Sequence, residues 1–132
     1  MLIVVAAIIE HQGKLLACQR RRGGAFELQW EFPGGKANSG ESLEAALVRE
    51  LHEELNVAAR IGREIYRTRH HYAQMASAVE LFFFTAQAAP EKIQNRVFER
   101  IEWRSPETLN ELPFLEADRE LIGLLASGKL KL

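Results

Sequence analysis

The sequence has one cysteine, almost no net charge and no long apolar run, and each of these features excludes a class of protein. Cys18 is the single cysteine, so no internal disulfide can form, and one free thiol predicts a reducing, cytoplasmic location. The 17 basic and 18 acidic residues give a net charge of -1, which predicts no general attraction to polymeric nucleic acid or to a membrane surface. No stretch approaches the ~18 apolar residues of a membrane-spanning helix.

The apolar run from Leu2 to Ile9 is interpreted as a strand and not as a signal peptide. It is short, and neither a basic region nor a small-residue cleavage site accompanies it. The 132 residues, 47% hydrophobic and 27% charged, are typical of a globular protein, and we expect one domain over residues 1–132.

The rest of the chain alternates between strand and helix patterns. Further strands are predicted over 14–20, 61–72, 78–87 and 97–103. A first helix is predicted over Ser42–Leu55, with Ser42 as N-cap and Asn56 as a left-handed stop, and a last helix over 117–126. This order indicates a mixed α/β fold with a sheet between helices.

The first helix carries acidic residues where apolar ones are expected. At about 100° per residue its apolar stripe consists of Leu43, Ala46, Leu47 and Leu51. Glu50 and Glu54 fall in the middle of this stripe, and Glu53 falls at its edge. The three carboxylates are neighbours on the helix surface, so their repulsion adds to the cost of burying charge.

Three explanations of this acidic cluster can be compared. A solvated acidic face would place the acids opposite the leucines, which is not the observed phase. Pairing with Arg49 is a second explanation, but one guanidinium cannot neutralise three carboxylates. Divalent cations can, and Mg²⁺ binds a few carboxylates together with substrate phosphates. The pattern therefore favours a metal site at Glu50, Glu53 and Glu54.

The acidic cluster is part of a longer pattern. Gly35 is followed after five residues by Glu41, and after seven more by the run RELHEELNV from Arg49 to Val57. This pattern resembles the Nudix box. Asn56 stands where the family usually has glycine, but asparagine tolerates the left-handed conformation. The segment WEFPGGK, from Trp30 to Lys36, resembles the MutT branch of the family.

The resemblance implies a Nudix-type α/β/α sandwich with a mixed sheet between helices. It also implies that water cleaves a nucleoside triphosphate to the monophosphate and pyrophosphate, with Mg²⁺ required and Mn²⁺ able to substitute. By the same resemblance Arg49 orients the glutamates and Glu41 has a supporting metal or structural role. If no further glutamate serves as general base, the geometry permits Glu53 or Glu54 to double as the base. The implied metal ligands are Glu50, Glu53, Glu54 and the carbonyl of Gly34.

One expected catalytic residue is missing. Many MutT-type enzymes have a further glutamate six residues before the tryptophan of the late strand, and counting back from Trp103 gives Val97. Glu99, two residues on and on the same face of the predicted strand, is the leading substitute as a catalytic residue. Glu91 is a second candidate.

Several residues are candidates for binding the nucleotide. The backbone at Gly35 can approach phosphate closely, and Arg20 and Lys36 could neutralise it, although each could equally be an ordinary surface cation. Phe32 and Tyr72 offer stacking faces, although aromatic residues on strands are more often core.

Asp118 matches the position that reads the nucleobase in the MutT branch. An ionised aspartate only accepts hydrogen bonds, which favours guanine or cytosine. The alternative is that Asp118 merely caps the last helix.

The main hypothesis is a MutT-type diphosphatase with 8-oxo-dGTP as a candidate substrate. CTP and dCTP are the alternative substrates, and a non-catalytic nucleotide sensor is the alternative class of function. The expected partner is a small nucleotide, and a monomer or a homodimer is compatible with the sequence.

Overall fold

The computed structural model describes residues 1–132 and places a mixed sheet between two helices. The strands are β1 (Leu2–His11), β2 (Lys14–Gln19), β3 (Trp30–Glu31), β4 (Gly34–Lys36), β5 (Arg60–His70), β6 (Val79–Gln87) and β7 (Arg100–Arg104). The helices are α1 (Leu43–Leu55) and α2 (Arg119–Ala126). Short 3-10 turns cover Pro90–Lys92, Pro106–Glu111 and Glu116–Asp118. None of these helices has the length and apolarity needed to cross a membrane.

The strand β1 is the centre of the sheet. The main path runs β3-β2-β1-β6-β5, while β4 pairs with β1 and β7 pairs with β2. Only β1 and β6 are parallel, and all other pairs are antiparallel. Gly34, Gly35 and Lys36 lie opposite Ala6, Val5 and Val4 respectively, so the glycine pair is fixed against β1.

Two hydrophobic cores lie on opposite faces of the sheet. Ala6 and Ile8 of β1 belong to the core beneath α2, whereas Val5, Ala7 and Ile9 belong to the core beneath α1. Alternate side chains of a strand point to opposite faces, so an entirely apolar strand is needed when both faces are covered. The predicted α/β/α architecture is confirmed.

Helix α1 begins and ends where the sequence predicts. The hydroxyl of Ser42 accepts a hydrogen bond from the amide of Ala45 at 3.1 Å. Asn56 adopts the left-handed conformation with φ of 52°, and its amide donates to His52 O at 3.0 Å. Asparagine therefore ends the helix as glycine would.

The strand predicted over 97–103 is wrong at its start, because β7 begins at Arg100. The side-chain oxygen of Asn95 accepts hydrogen bonds from the amides of Val97 at 3.2 Å and Phe98 at 2.8 Å. These local bonds hold the segment in a loop despite its β-forming residues. Val97 and Glu99 therefore do not share a strand face. The last helix likewise begins later than predicted, at Arg119.

Candidate active site

A cleft of about 370 Å³ opens between β1, the C-terminal half of α1 and the turn that precedes α2. Among the residues that line it are Arg20, Phe32, Gly34, Gly35, Lys36, Glu50, Glu54 and Asp118. The structure thus gathers most of the predicted site residues on one surface. Arg49 and Glu53 lie beside the cleft on α1, and their contacts are described below.

Gly34 and Gly35 allow the acidic helix to approach the sheet. The amide of Gly34 donates to Glu54 Oε1 at 3.0 Å. Gly34 has φ of +153°, and a Cβ there would lie 2.0 Å from Val5 O. A Cβ on Gly35 would lie 2.5 Å from Glu50 Cδ. Any side chain at either position would therefore collide with the sheet or with a site carboxylate. A metal-binding role for the Gly34 carbonyl stays a prediction.

Arg49 organises the acids beside the glycines. Its guanidinium donates to Glu41 at 2.8 and 3.0 Å, to Glu50 at 3.0 Å and to Glu53 at 3.3 Å. It also donates to Lys36 O at 3.0 Å, which ties α1 to the end of β4. The bonds from Arg49 and from the amide of Asn38 lower the pKa of Glu41 to about 2. In this arrangement Arg49 fixes the side chains of Glu50 and Glu53.

The three predicted metal ligands differ in burial. The side chain of Glu50 is 14% exposed and that of Glu53 is 55% exposed, while Glu54 lies deeper at the floor of the cleft. Burial and the neighbouring acids Glu31 and Glu50 raise the pKa of Glu54 to about 9, although the amide of Gly34 opposes this. Burial also raises the pKa of Glu50, against the effect of Arg49.

The chemistry of these residues fits a divalent cation. Carboxylate oxygens are the ligands that Mg²⁺ prefers, and a cation would offset the repulsion among buried acids. As the side chains are placed, no three acidic, histidine or cysteine side chains are arranged to hold a metal ion. Glu50 and Glu53 are bound to Arg49, and Glu54 is bound to Gly34. Each of these bonds uses one oxygen of its carboxylate, so the other oxygen remains able to bind a cation.

Glu31 is a cleft residue that the sequence analysis missed. Arg20, predicted to neutralise phosphate, pairs with it at 3.1 Å and also donates to Ala25 O at 2.8 Å. Burial raises the pKa of Glu31, and Arg20 opposes this shift. The sequence does not single out Glu31, because an acid between two apolar residues is the ordinary alternation of a strand.

Aromatic residues form one wall of the cleft. Phe32 is only 3% exposed and packs against Phe114 with ring centroids 5.4 Å apart, so its ring is largely committed to the core. Phe26 and Tyr72 pack together with centroids 4.8 Å apart, and both line the cleft. Phe26 was not predicted, because it lies in an irregular loop and has φ of 54°.

Asp118 is the chain's only buried polar or charged residue, at 3% exposure, and it faces the cleft. It occupies the N-cap position of α2 but its side chain makes no capping hydrogen bond, so the capping interpretation is wrong. Burial and the nearby charge of Glu31 raise the pKa of Asp118 well above its usual value. Burial therefore works against the ionised form of Asp118 that the sequence analysis expects, and its reading of the nucleobase stays a prediction.

We expect Asp118→Asn to stabilise the protein without ligand at neutral pH. Because the folded state raises the pKa of Asp118, unfolding releases a proton above pH of about 4, and stability falls as pH rises. Asparagine does not ionise, so the variant does not lose stability in this way as pH rises. The free energy of unfolding at pH 7 should therefore be higher by about 1 kcal/mol. The gain should shrink as pH is lowered towards 4, as measured by urea unfolding. Glu107→Gln, at an exposed position, is the control; an equal gain at pH 4 and pH 7 would contradict the expectation.

Glu99 lies apart from the other predicted catalytic residues. Its carboxylate accepts a hydrogen bond from the amide of Arg22 at 3.2 Å, and it does not line the cleft. Glu91, the second candidate, is exposed in the 3-10 turn Pro90–Lys92. A catalytic role for Glu99 would require the loop before β7 to rearrange, and it stays a prediction.

Comparison with known proteins identifies relatives that span most of the chain. The CTP pyrophosphohydrolase of Escherichia coli K12 is 36% identical over 122 residues, which cover 92% of this chain and 89% of that protein. The 8-oxo-dGTP diphosphatase of Haemophilus influenzae is 38% identical over 82 residues, which cover 61% of this chain and 59% of that protein.

Solved structures share the fold. The solution structure of the E. coli ORF135 protein matches with a TM-score of 0.81 and 32% identity, covering 98% of this chain and 91% of that one. The crystal structure of a MutT protein from Methanosarcina mazei Go1 matches with a TM-score of 0.85, covering 98% and 96% of the two chains. At 21% identity the second likeness concerns the fold alone.

The family model described as the NUDIX domain matches residues 1–125, a span that includes the cleft, the glycine pair and every acid of α1. The predicted Nudix resemblance is confirmed. Relatives named as nucleotide pyrophosphohydrolases match along with it. The chain therefore belongs to the NUDIX family and is a Nudix hydrolase with nucleotide pyrophosphohydrolase activity.

Proposed function

We propose that the enzyme hydrolyses a cytosine nucleoside triphosphate, CTP or dCTP, to the monophosphate and pyrophosphate. The observation that carries the proposal is the buried carboxyl group of Asp118 in the cleft, whose pKa is raised by burial and by Glu31. A neutral carboxyl group provides one donor and one acceptor side by side. Cytosine presents the complementary pair, a ring nitrogen acceptor beside an amino donor.

Other bases fit this carboxyl group less well. Guanine presents two adjacent donors, the ring N–H and the amino group, and these suit an ionised carboxylate, which burial disfavours at Asp118. A neutral carboxyl group can also pair with the ring N–H and the neighbouring carbonyl of uracil, but the uracil ring nitrogen carries a hydrogen and cannot take up the carboxyl proton. The basic ring nitrogen of cytosine can take up the carboxyl proton, and this transfer would convert the contact into a stronger, charge-assisted pair. Adenine has a similar edge on a larger ring, so ATP belongs in the test.

The relatives support the same substrate. The CTP pyrophosphohydrolase aligns with nearly the whole chain, whereas the 8-oxo-dGTP diphosphatase of H. influenzae aligns with less than two thirds of it. That second likeness keeps 8-oxo-dGTP as the other candidate substrate. The free thiol of buried Cys18 supports a cytoplasmic location, where nucleotide pools are found.

The reaction we propose is attack of water on phosphorus at the bond between the α- and β-phosphates. The new P–O bond forms as the bridging P–O bond breaks, and pyrophosphate leaves. The backbone at Gly34 and Gly35 lets the phosphates approach, and Lys36 and Arg20 balance their charge. Glu53, whose carboxylate is the most exposed of the three on α1, accepts the proton of the water.

Glu50, Glu53 and Glu54 would hold a divalent cation, Mg²⁺ or Mn²⁺, which would supply positive charge against the phosphates and make the attacking water more acidic. Arg49 keeps these acids close together on the helix surface. The structural role of Arg49 is therefore to position the acids and not to contact the base.

The proposal is tested with a panel of nucleotides and Mg²⁺. CTP, dCTP, UTP, ATP, dGTP, 8-oxo-dGTP and ADP-ribose are incubated with the enzyme, and pyrophosphate and phosphate are assayed separately. We expect CTP or dCTP to give the highest kcat/KM, with equal amounts of monophosphate and pyrophosphate. A preference for 8-oxo-dGTP over both would overturn the cytosine assignment, and release of phosphate alone would overturn the reaction.

A further inference from the structure

We propose that Tyr72 is a positioning residue for base recognition: its hydroxyl anchors the turn Glu116–Asp118 and thereby sets the carboxyl group of Asp118. The inference rests on the proposed function, in which Asp118 reads the base. It concerns the hydroxyl group of Tyr72 and not its ring, and it assigns a specificity role to a group 45 residues away from the turn in sequence.

The central contact is one buried hydrogen bond. The hydroxyl oxygen of Tyr72 accepts a hydrogen bond from the amide of Ala117 at 3.0 Å. Tyr72 is 8% exposed and Ala117 is 6% exposed, so water has little access to either group. A buried amide without a partner is costly, so the turn is held where this amide can reach the hydroxyl. Asp118 follows Ala117 directly.

Other contacts hold the chain on either side of the turn, but the position of Ala117 within the turn is held by Tyr72. Trp30 pairs with the segment before the turn, through bonds to Pro113 O at 2.9 Å and from the amide of Leu115 at 3.0 Å. The amide of Asp118 donates to Leu115 O at 3.0 Å within the turn itself. Among side chains, only the hydroxyl of Tyr72 bonds the main chain of residues 116–118.

The ring of Tyr72 is itself held in place. Phe26 packs on it with centroids 4.8 Å apart, and His70 packs edge-on with centroids 4.4 Å apart. His70 also lies 3.2 Å from the carboxylate of Glu116, the first residue of the turn. His70 at the end of β5 and Tyr72 just after it thus contact Glu116 and Ala117, the two residues before Asp118. Because these contacts hold the ring of Tyr72 in place, its hydroxyl group also holds the turn in place through Ala117.

The test is Tyr72→Phe, which removes the hydroxyl and keeps the ring. We measure kcat and KM for CTP and for UTP, and compare the two kcat/KM values as a discrimination ratio. We expect KM for CTP to rise about 5- to 20-fold, kcat to change less than about twofold, and the ratio to fall. A loss of stability alone would lower both nucleotides' rates together and leave the ratio unchanged.

Tyr66→Phe is the matched control. The hydroxyl of Tyr66 also links β5 to the α2 side, through Glu120, but Tyr66 does not line the cleft. We expect its discrimination ratio to equal that of the unmodified enzyme. His70→Gln changes the contact with Glu116 in the same turn, so this variant should also lower the discrimination ratio. It provides a second measurement if Tyr72→Phe folds poorly.

A double-mutant cycle separates the inference from the proposed function. Asp118→Ala, which removes both the donor and the acceptor, should lower the ratio, and adding Tyr72→Phe should then lower it no further. If Asp118→Ala leaves the ratio unchanged, the proposed function fails. If Asp118→Ala lowers the ratio but Tyr72→Phe and His70→Gln do not, the positioning role of Tyr72 is overturned and base recognition by Asp118 stands.

Discussion

Replacing Glu54 with glutamine is expected to lower kcat by about 10³-fold or more, while the protein remains folded. The amide oxygen of glutamine can still accept the hydrogen bond from Gly34, so the contact between α1 and β4 survives. Because burial and neighbouring acids raise the pKa of Glu54 to about 9, the neutral side chain costs the unliganded fold nothing at pH 7. The loss is therefore chemical and not structural.

Glu44→Gln is the control for this substitution, since Glu44 is an exposed acid in the first turn of the same helix. We expect unchanged turnover in this control. The second readout is the rise in Tm on adding Mg²⁺ or Mn²⁺ without nucleotide, which should be lost in Glu54→Gln and kept in Glu44→Gln. Turnover within tenfold of the unmodified enzyme would remove Glu54 from the catalytic residues.

Replacing Gly34 with alanine is expected to destabilise the fold by about 3 kcal/mol or more. The new Cβ would lie 2.0 Å from Val5 O and 2.8 Å from Ala6 Cα, both of which are backbone atoms of the central strand. Neither can move without breaking the pairing of β4 with β1. The residue also has φ of +153°, where a side chain adds strain. Urea unfolding measures the loss.

Alanine substitutions at two other glycines serve as comparisons for Gly34→Ala. Gly123→Ala, in the middle of α2 with no atom within 4 Å of the new Cβ, should raise stability by about 0.5–1 kcal/mol. Gly35→Ala meets only the carboxylate of Glu50, which can rotate away, so activity should fall more than stability. If Gly34→Ala were as stable as Gly123→Ala, the close approach of β4 to β1 would not be needed for folding.

The sequence predicted α1 and its acids because the relevant signals are local. A serine cap, an asparagine stop and the 3.6-residue period all act within one helix, and each was found where expected. The phase of Glu50 and Glu54 against the leucines likewise needed no knowledge of distant residues. The α/β/α arrangement followed from the order of elements and from an opening strand that is apolar on both faces.

Contacts between distant segments were the part that the sequence did not reveal. The pairing of Arg20 with Glu31 and the bond between Tyr72 and Ala117 join residues 11 and 45 positions apart, and no periodicity encodes them. The prediction that the last strand begins at Val97 was wrong because the side chain of Asn95 binds the amides of Val97 and Phe98, which a strand would need for pairing. The raised pKa of Asp118 could not be inferred because it depends on burial and on Glu31.

The separation of the two cores has an evolutionary consequence. The acids proposed to hold the cation lie on α1, above the core that contains Val5 and Ala7, whereas the turn before Asp118 packs with the core beneath α2. A mutation that reshapes the α2 side can therefore alter the proposed nucleobase pocket without changing the core beneath α1. Descendants of one ancestral gene could acquire new substrates by drift and selection on that face alone, while the acids proposed for hydrolysis are inherited unchanged.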